Sequence, residues 1–250
     1  MTVRAHLVVF CLSFLALSIC GSAKATDWWI STGSADPGKI LLVKDGKELD
    51  YYTHRKPPHA DMVSKVYTLS RDAEGKLLFA SGLDRFLLEA SRARASLVKD
   101  GGYTLRRVRR GKGDEIFWSG LETPRDDQPL PDGFIYSMNR KTGASKTVMT
   151  FSQGDVSKDW WGAFDVHDDK IYAATLNSPS KVYDITKIAP TTLVATLPIQ
   201  VLSIRFSKDG VLHACDGEGK LYRFPDLTTP EKFEVLYESK TKFTDFEFAE

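Results

Sequence analysis

Between Phe206 and Phe224 the chain reads FSKDGVLHACDGEGKLYRF, short apolar runs punctuated by two glycine-bearing turns and free of helical periodicity. Lys208-Asp209-Gly210 makes the first turn and Asp216-Gly217-Glu218-Gly219 the second. Gly accepts positive φ without steric cost, and Asp can bond the backbone a residue or two ahead. The flanking runs VLSIRF, VLHAC and KLYRF are rich in β-branched and aromatic residues, and a fourth, EKFEVLYE, follows Pro230. Four strands in a meander result. Similar units recur along the chain, and that recurrence constrains the fold more than any single motif.

Read in order, the first unit holds TDWWISTG, KILLVKDGK and ELDYYTH, one strand short of the others. The second runs SKVYTLS, KLLFASG, RFLLEAS and ASLVKDG. The third runs YTLRRVRRGKG, EIFWSG, GFIYSMN and KTVMTFS, and the fourth WWGAFDV, KIYAATL, KVYDI and TTLVATL. The fifth is the opening stretch. Aligning second strands on Trp28, Leu78, Ile116, Ile171 and Val211 gives a repeat of about 46 residues, the length of one four-stranded blade. A final strand, KFTDFEFAE, has no partner of its own and supplies the one the first unit lacks. The expectation is an all-β chain forming a β-propeller of five four-stranded blades, closed by the C-terminal strand joining the N-terminal blade. Closure of that kind removes an exposed sheet edge. Six blades with one degenerate unit, or a two-sheet sandwich, are the alternatives.

Arg4 and the apolar run LVVFCLSFLALSIC lead to Ala23-Lys24-Ala25, the pattern of a cleavable secretory signal. The expected organisation is a signal over residues 1–25 and a single domain over 26–250, exported to the periplasm or the extracellular space. Alternatives are an uncleaved anchor and a lipoprotein beginning at Cys20, where bulky Ile19 fits poorly. Loss of Arg4 and Lys24 takes the formal charge from +1 to −1, which removes any electrostatic case for nucleic acid. Of three cysteines only Cys215 remains, mid-strand, read as a buried and inert thiol. No transmembrane segment is expected after cleavage, and the mature chain reads as a monomer.

Phe206-Ser207-Lys208-Asp209-Gly210-Val211-Leu212-His213-Ala214-Cys215-Asp216 resembles the F-x-x-D-G-x-L-Y-V-A-D phrase of propellers in the NHL, TolB-like and SMP-30/gluconolactonase groups. The likeness is partial at Ser70 to Gly82 and at Phe164 to Thr175. The phrase encodes a hairpin and its packing, so the resemblance implies architecture and leaves function open.

In such propellers the loops between second and third strands share a face with the blade-to-blade connections, and that face is the default ligand site. Asp84, Glu122, Asn177 and Asp216 fall at nearly equivalent positions there, with Asp36 in the longer first loop. Converging oxygens of this kind suit Ca²⁺ or another divalent cation, whereas turn chemistry alone also accounts for Asp and Asn at these places. The resemblance to SMP-30 lactonases would make such a metal hydrolytic, although the family's ligand set does not map residue by residue. His54 and His59, with Asp61, flank Pro57-Pro58 and can be read either as transition-metal ligands or as parts of a rigid solvated linker. Trp160 and Trp161 start an innermost strand, close to the channel mouth, where an indole would stack on a sugar or a hydrophobic peptide, or fill a blade interface. Arg106, Arg107, Arg109, Arg110 and Lys112, with Arg92 and Arg94 upstream, form the densest basic run. It reads as a solvated strand face balanced by Asp114 and Glu115, with anionic polysaccharide or lipid headgroups as the alternative partner.

No Ser-His-Asp, phosphate-loop, CxxC or HExxH signature stands out. The primary reading is a non-enzymatic exported propeller that binds a protein, small molecule or glycan on its loop face. The alternatives are a metal-dependent lactonase or esterase and a carbohydrate-recognition module.

Overall fold

The structure is a computed structural model that describes residues 27–33, 35, 37–55, 65–80, 86–92, 94–100, 104–121, 133–151, 163–187 and 191–249. The expected signal over residues 1–25 lies outside the described residues.

Five antiparallel four-stranded sheets form a ring, a five-bladed β-propeller. Blade two comprises β4 (Thr68–Arg71), β5 (Leu77–Ala80), β6 (Phe86–Ala90) and β7 (Ala95–Asp100). Blade three comprises β8 (Thr104–Arg110), β9 (Glu115–Leu121), β10 (Gly133–Asn139) and β11 (Ser145–Phe151), and blade four β12 (Ala163–His167), β13 (Lys170–Ala174), β14 (Ser180–Asp184) and β15 (Thr192–Leu197). Blade five comprises β16 (Ser203–Phe206), β17 (Leu212–Cys215), β18 (Lys220–Phe224) and β19 (Glu234–Glu238). Blade one is built from both ends of the described chain. There β20 (Asp245–Phe248) lies innermost against β1 (Trp28–Ser31), followed by β2 (Lys39–Lys44) and β3 (Lys47–Thr53). The closing register runs from Trp28 opposite Phe248 to Ser31 opposite Asp245.

Each blade is too thin to bury its own apolar side chains, so the core is divided among the gaps between neighbours. Ile40, Tyr52, Leu69 and Phe79 fill the gap between blades one and two; Leu78, Leu105, Val108 and Trp118 fill the next. Ile135, Met149, Phe164 and Ala173 join blades three and four, and Val182, Leu197, Ile204 and Leu212 join four and five. Trp28, Ile30, Leu221, Phe243 and Phe246 close the ring between five and one. Each such aliphatic or aromatic side chain contributes about 1.5–3 kcal/mol when fully buried. Phe243 and Phe246 are both fully buried, so the last strand holds the ring by packing as well as by hydrogen bonds.

In blade five the turn from Ser207 to Val211 places Gly210 at φ 79°, where a β-carbon would be strained, and the Ser207 amide and hydroxyl clamp Val211 across it. Two of the five second-strand anchors sit one residue from their expected place. Ser70 and Arg205 both meet Glu247 from the adjacent strands, which makes Leu77 and Leu212, rather than Leu78 and Val211, the equivalents of Trp28.

Candidate functional site

Successive strand residues face opposite ways, so every second residue of an innermost strand points to the ring axis. The axial positions are Thr68 and Ser70, Arg107 and Arg109, Ala163 and Asp165, Ser203 and Arg205, and Asp245 and Glu247. Polar and charged side chains therefore fill the centre. The expectation of a solvated basic face on β8 is corrected here. Arg107 and Arg109 are completely buried: the counter-ions of Arg109, Asp165 and Asp245, come from other blades rather than from Asp114 and Glu115, and Arg107 donates to the carbonyls of Arg106 and Leu202.

Arg109 joins all five blades. Its Nε–H donates to the Phe164 carbonyl at 2.7 Å, its Nη1 to Asp245 Oδ2 at 2.9 Å and to the Val108 carbonyl at 2.6 Å, and its Nη2 to Ser203 Oγ at 2.8 Å and Asp245 Oδ1 at 3.2 Å. Thr68 Oγ1 lies 3.5 Å from Nη1. Only a guanidinium offers five donors in one fixed plane. Asp245 also accepts the Thr68 hydroxyl at 2.6 Å, the Ser203 hydroxyl at 2.5 Å and the Leu69 amide at 3.1 Å. Burial opposes ionisation of Asp245, but Arg109, Arg205 and Arg107 outweigh it and hold its carboxyl well below the usual carboxylate range.

One layer further along, Arg205 pairs with Glu247 at 2.9 Å and donates to the carbonyls of Phe246 and Leu69. Asp165 accepts the Phe206 amide at 2.7 Å and stands 3.6 Å from Arg109. Burial pushes the Asp165 carboxyl up to about 6, against the pull of Arg205 and Arg109. These two layers close the axis with paired charge.

Above that floor, at the end where first and second strands turn back on each other, opens a concavity of about 900 Å³. Such a volume suits a small ligand. Arg205, Asp165 and Glu247 form its base. On one wall His167 stacks on Phe206, ring centroids 5.3 Å apart at 21°. On the other, Trp28, His213 and Phe248 meet within 5.6 Å of one another. His213 Nδ1 lies 3.0 Å from the Val211 carbonyl, so that nitrogen carries the proton. Burial holds the imidazole at about 4, hence neutral near pH 7, against the opposing effect of that bond.

The residues singled out from sequence fare differently. His54 is 2% exposed, bonds the Tyr52 hydroxyl at 2.8 Å and meets Phe79 edge-on. It is a core histidine, which corrects the solvated-linker reading at that position. Asp216 spends Oδ1 on the amides of Glu218 and Lys220 and Oδ2 on the Tyr222 hydroxyl at 2.9 Å. Both oxygens are thus engaged within its own blade, a geometry that fits a turn cap rather than a metal ligand. Asn177 lies in the β13–β14 loop, where its carbonyl accepts the Ser180 hydroxyl. Asp36, His59, Asp61, Asp84, Glu122, Trp160 and Trp161 lie outside the described residues. Among the described residues no three His, Cys, Asp or Glu side chains converge as a metal set. Cys215 is buried, its thiol pushed well up by desolvation, as expected of an inert core residue.

The concavity faces away from the loop face that sequence reasoning favoured. Asp209 and Gly210 belong to the turn beside it, and Asp209 lines it. The missed signal was a recurrence of polar residues at one position of each first strand: Ser70, Arg109, Asp165, Arg205 and Glu247.

No protein-family model matches this chain. No curated protein matches it either. Among solved structures it is similar to a structural-genomics protein described as a gluconolactonase, at TM-score 0.52 and 12% identity over 88% of this chain and 80% of that one. It is also similar to a gluconolactonase from Xanthomonas campestris, at TM-score 0.51 and 10% identity over 89% and 79%. A virginiamycin B lyase from Staphylococcus aureus follows at 0.44, 14% identity, 86% and 67%. At 10–12% identity the likeness to the two gluconolactonase structures shows the propeller fold alone.

Proposed function

We propose that the chain is an exported binding propeller that holds a small molecule in the concavity at the turn end of its channel. One observation carries the reading: a cavity of about 900 Å³ with aromatic walls stands on a floor of already paired charges. The floor is rigid because each of its charges is hydrogen-bonded across blades, and preorganised sites lose less affinity to ordering. The His167–Phe206 stack and the Trp28–His213–Phe248 group supply flat apolar faces, and neutral His213 adds a polar edge.

Binding without turnover is preferred because Arg205 and Glu247 at the base are spent on each other and on backbone groups. The lactonase reading draws on Asp84, Glu122, Asn177 and Asp216, of which the two described, Asn177 and Asp216, lie in loops on the opposite face. A fragment screen by saturation-transfer NMR tests the proposal. Hits that bind wild type and are lost in Phe206→Ala support it, whereas hits insensitive to Phe206→Ala place binding elsewhere. Lactone turnover that rises with added Ca²⁺ and falls in Asn177→Ala would favour the hydrolase instead. Intact mass of the chain recovered from the periplasm tests export: a new N-terminus at Thr26 is expected, and retention of residues 1–25 contradicts it.

A further inference from the structure

The charges around the mouth are unevenly spent, and this says what kind of ligand fits. Every carboxylate that lines it already has a donor. Glu247 takes Arg205, the Ser70 hydroxyl and the Arg71 amide; Asp165 takes the Phe206 amide; Asp209 takes the Ser207 hydroxyl at 2.5 Å; Glu234 takes Arg223 at 3.1 Å. The cations do not balance in the same way. Arg110, exposed at the end of β8, and Lys208, exposed at the tip of the blade-five turn, have no carboxylate within 4.0 Å among the described residues. Lys112, beside Arg110, reaches only Asp169 at 3.9 Å, with both side chains largely in water. Among the described residues an incoming cation would find one carboxylate, Asp209, without a cation of its own, its partner being the neutral Ser207 hydroxyl, whereas an incoming anion would find Arg110 and Lys208 without counter-ions and Lys112 with a weak one.

These cations stand on blades three and five, on either side of the blade-four strand that carries His167. They therefore bracket the Phe206–His167 wall. A ligand with its ring against that wall would have its charged group within the field of both sides. Neutral His213, its Nδ1 proton committed to Val211, presents an acceptor rather than a competing charge.

Resting on the small-molecule reading above, we infer that the mouth is specific for a small anionic ring compound, its ring against Phe206 and its carboxylate or phosphate held by Arg110, Lys208 and Lys112. The charge is recognised at a wet rim, so the affinity gain falls with ionic strength, and the ring contact gives the part that salt leaves untouched.

Matched probes separate the parts of this inference: benzoate against benzamide, phenyl phosphate against phenol, and glucuronate against glucose. Each is titrated into wild type, Phe206→Ala and the double variant Arg110→Gln/Lys208→Gln by saturation-transfer NMR, with circular dichroism to verify the fold. The expected result is binding of at least one anion, no binding of its neutral partner, and about tenfold weaker binding in the double variant, which is about 1.4 kcal/mol. Benzoate and phenyl phosphate arms show which acid group the rim prefers, and glucuronate shows whether a sugar ring serves as well as a flat one. Equal binding of neutral and anionic partners, lost in Phe206→Ala and unchanged in the double variant, overturns the anion inference and leaves the mouth as a ligand site. Binding indifferent to all three substitutions, or no binding by any probe, overturns the inference and tells against the site itself.

Discussion

Arg109 and Arg110 are neighbours in sequence and live in opposite environments. Arg109 is fully buried, with all five of its N–H donors placed on partners from other blades or its own backbone, while Arg110 stands in water at the channel mouth with no carboxylate within 4.0 Å among the described residues. Strand alternation turns Arg109 to the axis and Arg110 away from it, and the end of β8 leaves Arg110 in water where Val108, on the same side, is buried. The same residue type thus builds the closed floor in one case and the open rim in the other, and only the second has charge to offer a ligand.

The largest expected effects break the floor. Asp245→Ala strands Arg109 and leaves Thr68, Ser203 and the Leu69 amide without their acceptor. Removing one partner of a buried pair costs about 3–5 kcal/mol, read as a lower urea midpoint. Arg109→Ala should cost somewhat less, since Asp245 keeps Arg205 at 3.8 Å. A midpoint unchanged in either variant would mean that the axis is wet and the network ornamental.

Next in size is Asp216→Ala, which removes the acceptor for two turn amides and the Tyr222 hydroxyl and should cost about 1–3 kcal/mol. Asp216→Asn retains an acceptor and should recover part of that loss. Recovery in Asn with no response to Ca²⁺ marks a cap; a Ca²⁺-dependent shift in Tm present in wild type and absent in Asn would make Asp216 a ligand after all.

Asp165 gives a smaller, pH-dependent effect whose sign distinguishes it from Asp245. In the unfolded chain its pKa is about 3.9, and in the fold about 6. Between those values the unfolded state has released a proton that the folded state still binds, so stability falls as pH rises through that window. Compared with Asp165→Asn, wild type should lose stability from pH 4 to 6 and level off above. Asp245, held low, contributes in the other direction: its stabilisation is present above pH 4 and is lost as the medium becomes more acidic. A wild-type curve parallel to that of Asp165→Asn would show that Asp165 is not desolvated.

The smallest stability effect belongs to the rim. Arg110→Gln and Lys208→Gln should each move the unfolding free energy by no more than about 0.5 kcal/mol, the usual range for exposed positions without a network. A larger loss would place Arg110 within the floor after all and erase the contrast with Arg109.

The ring was legible in the sequence because turn chemistry is local: Asp209-Gly210 and Asp216-Gly217 announce hairpins within a few residues, and repetition does the rest. The unpartnered final strand pointed to the N-terminal blade for the same reason, a shortage of one strand at one end and a surplus at the other. The axis was not legible in that way. Alternation says that Arg107 and Arg109 face one side of β8 and Arg110 the other, but which side is the axis depends on Asp245, which lies far along the chain and is brought in only by ring closure. His54 hid similarly. A histidine beside prolines looks solvated until Tyr52 and Phe79, from two different blades, enclose it. The location of the concavity escaped because it is lined by ends of strands rather than by long loops, and sequence reasoning looks for sites in loops.

The most direct test of the account follows arginine Nε–H signals by two-dimensional NMR while phenyl phosphate is added. Arg109 and Arg205 should exchange slowly with solvent and stay in place, while the signal assigned to Arg110 by its loss in Arg110→Gln shifts with ligand. A rapidly exchanging Arg109, or a titration in which the buried signals move and Arg110 does not, would contradict the division of the channel into a sealed floor and a receptive mouth.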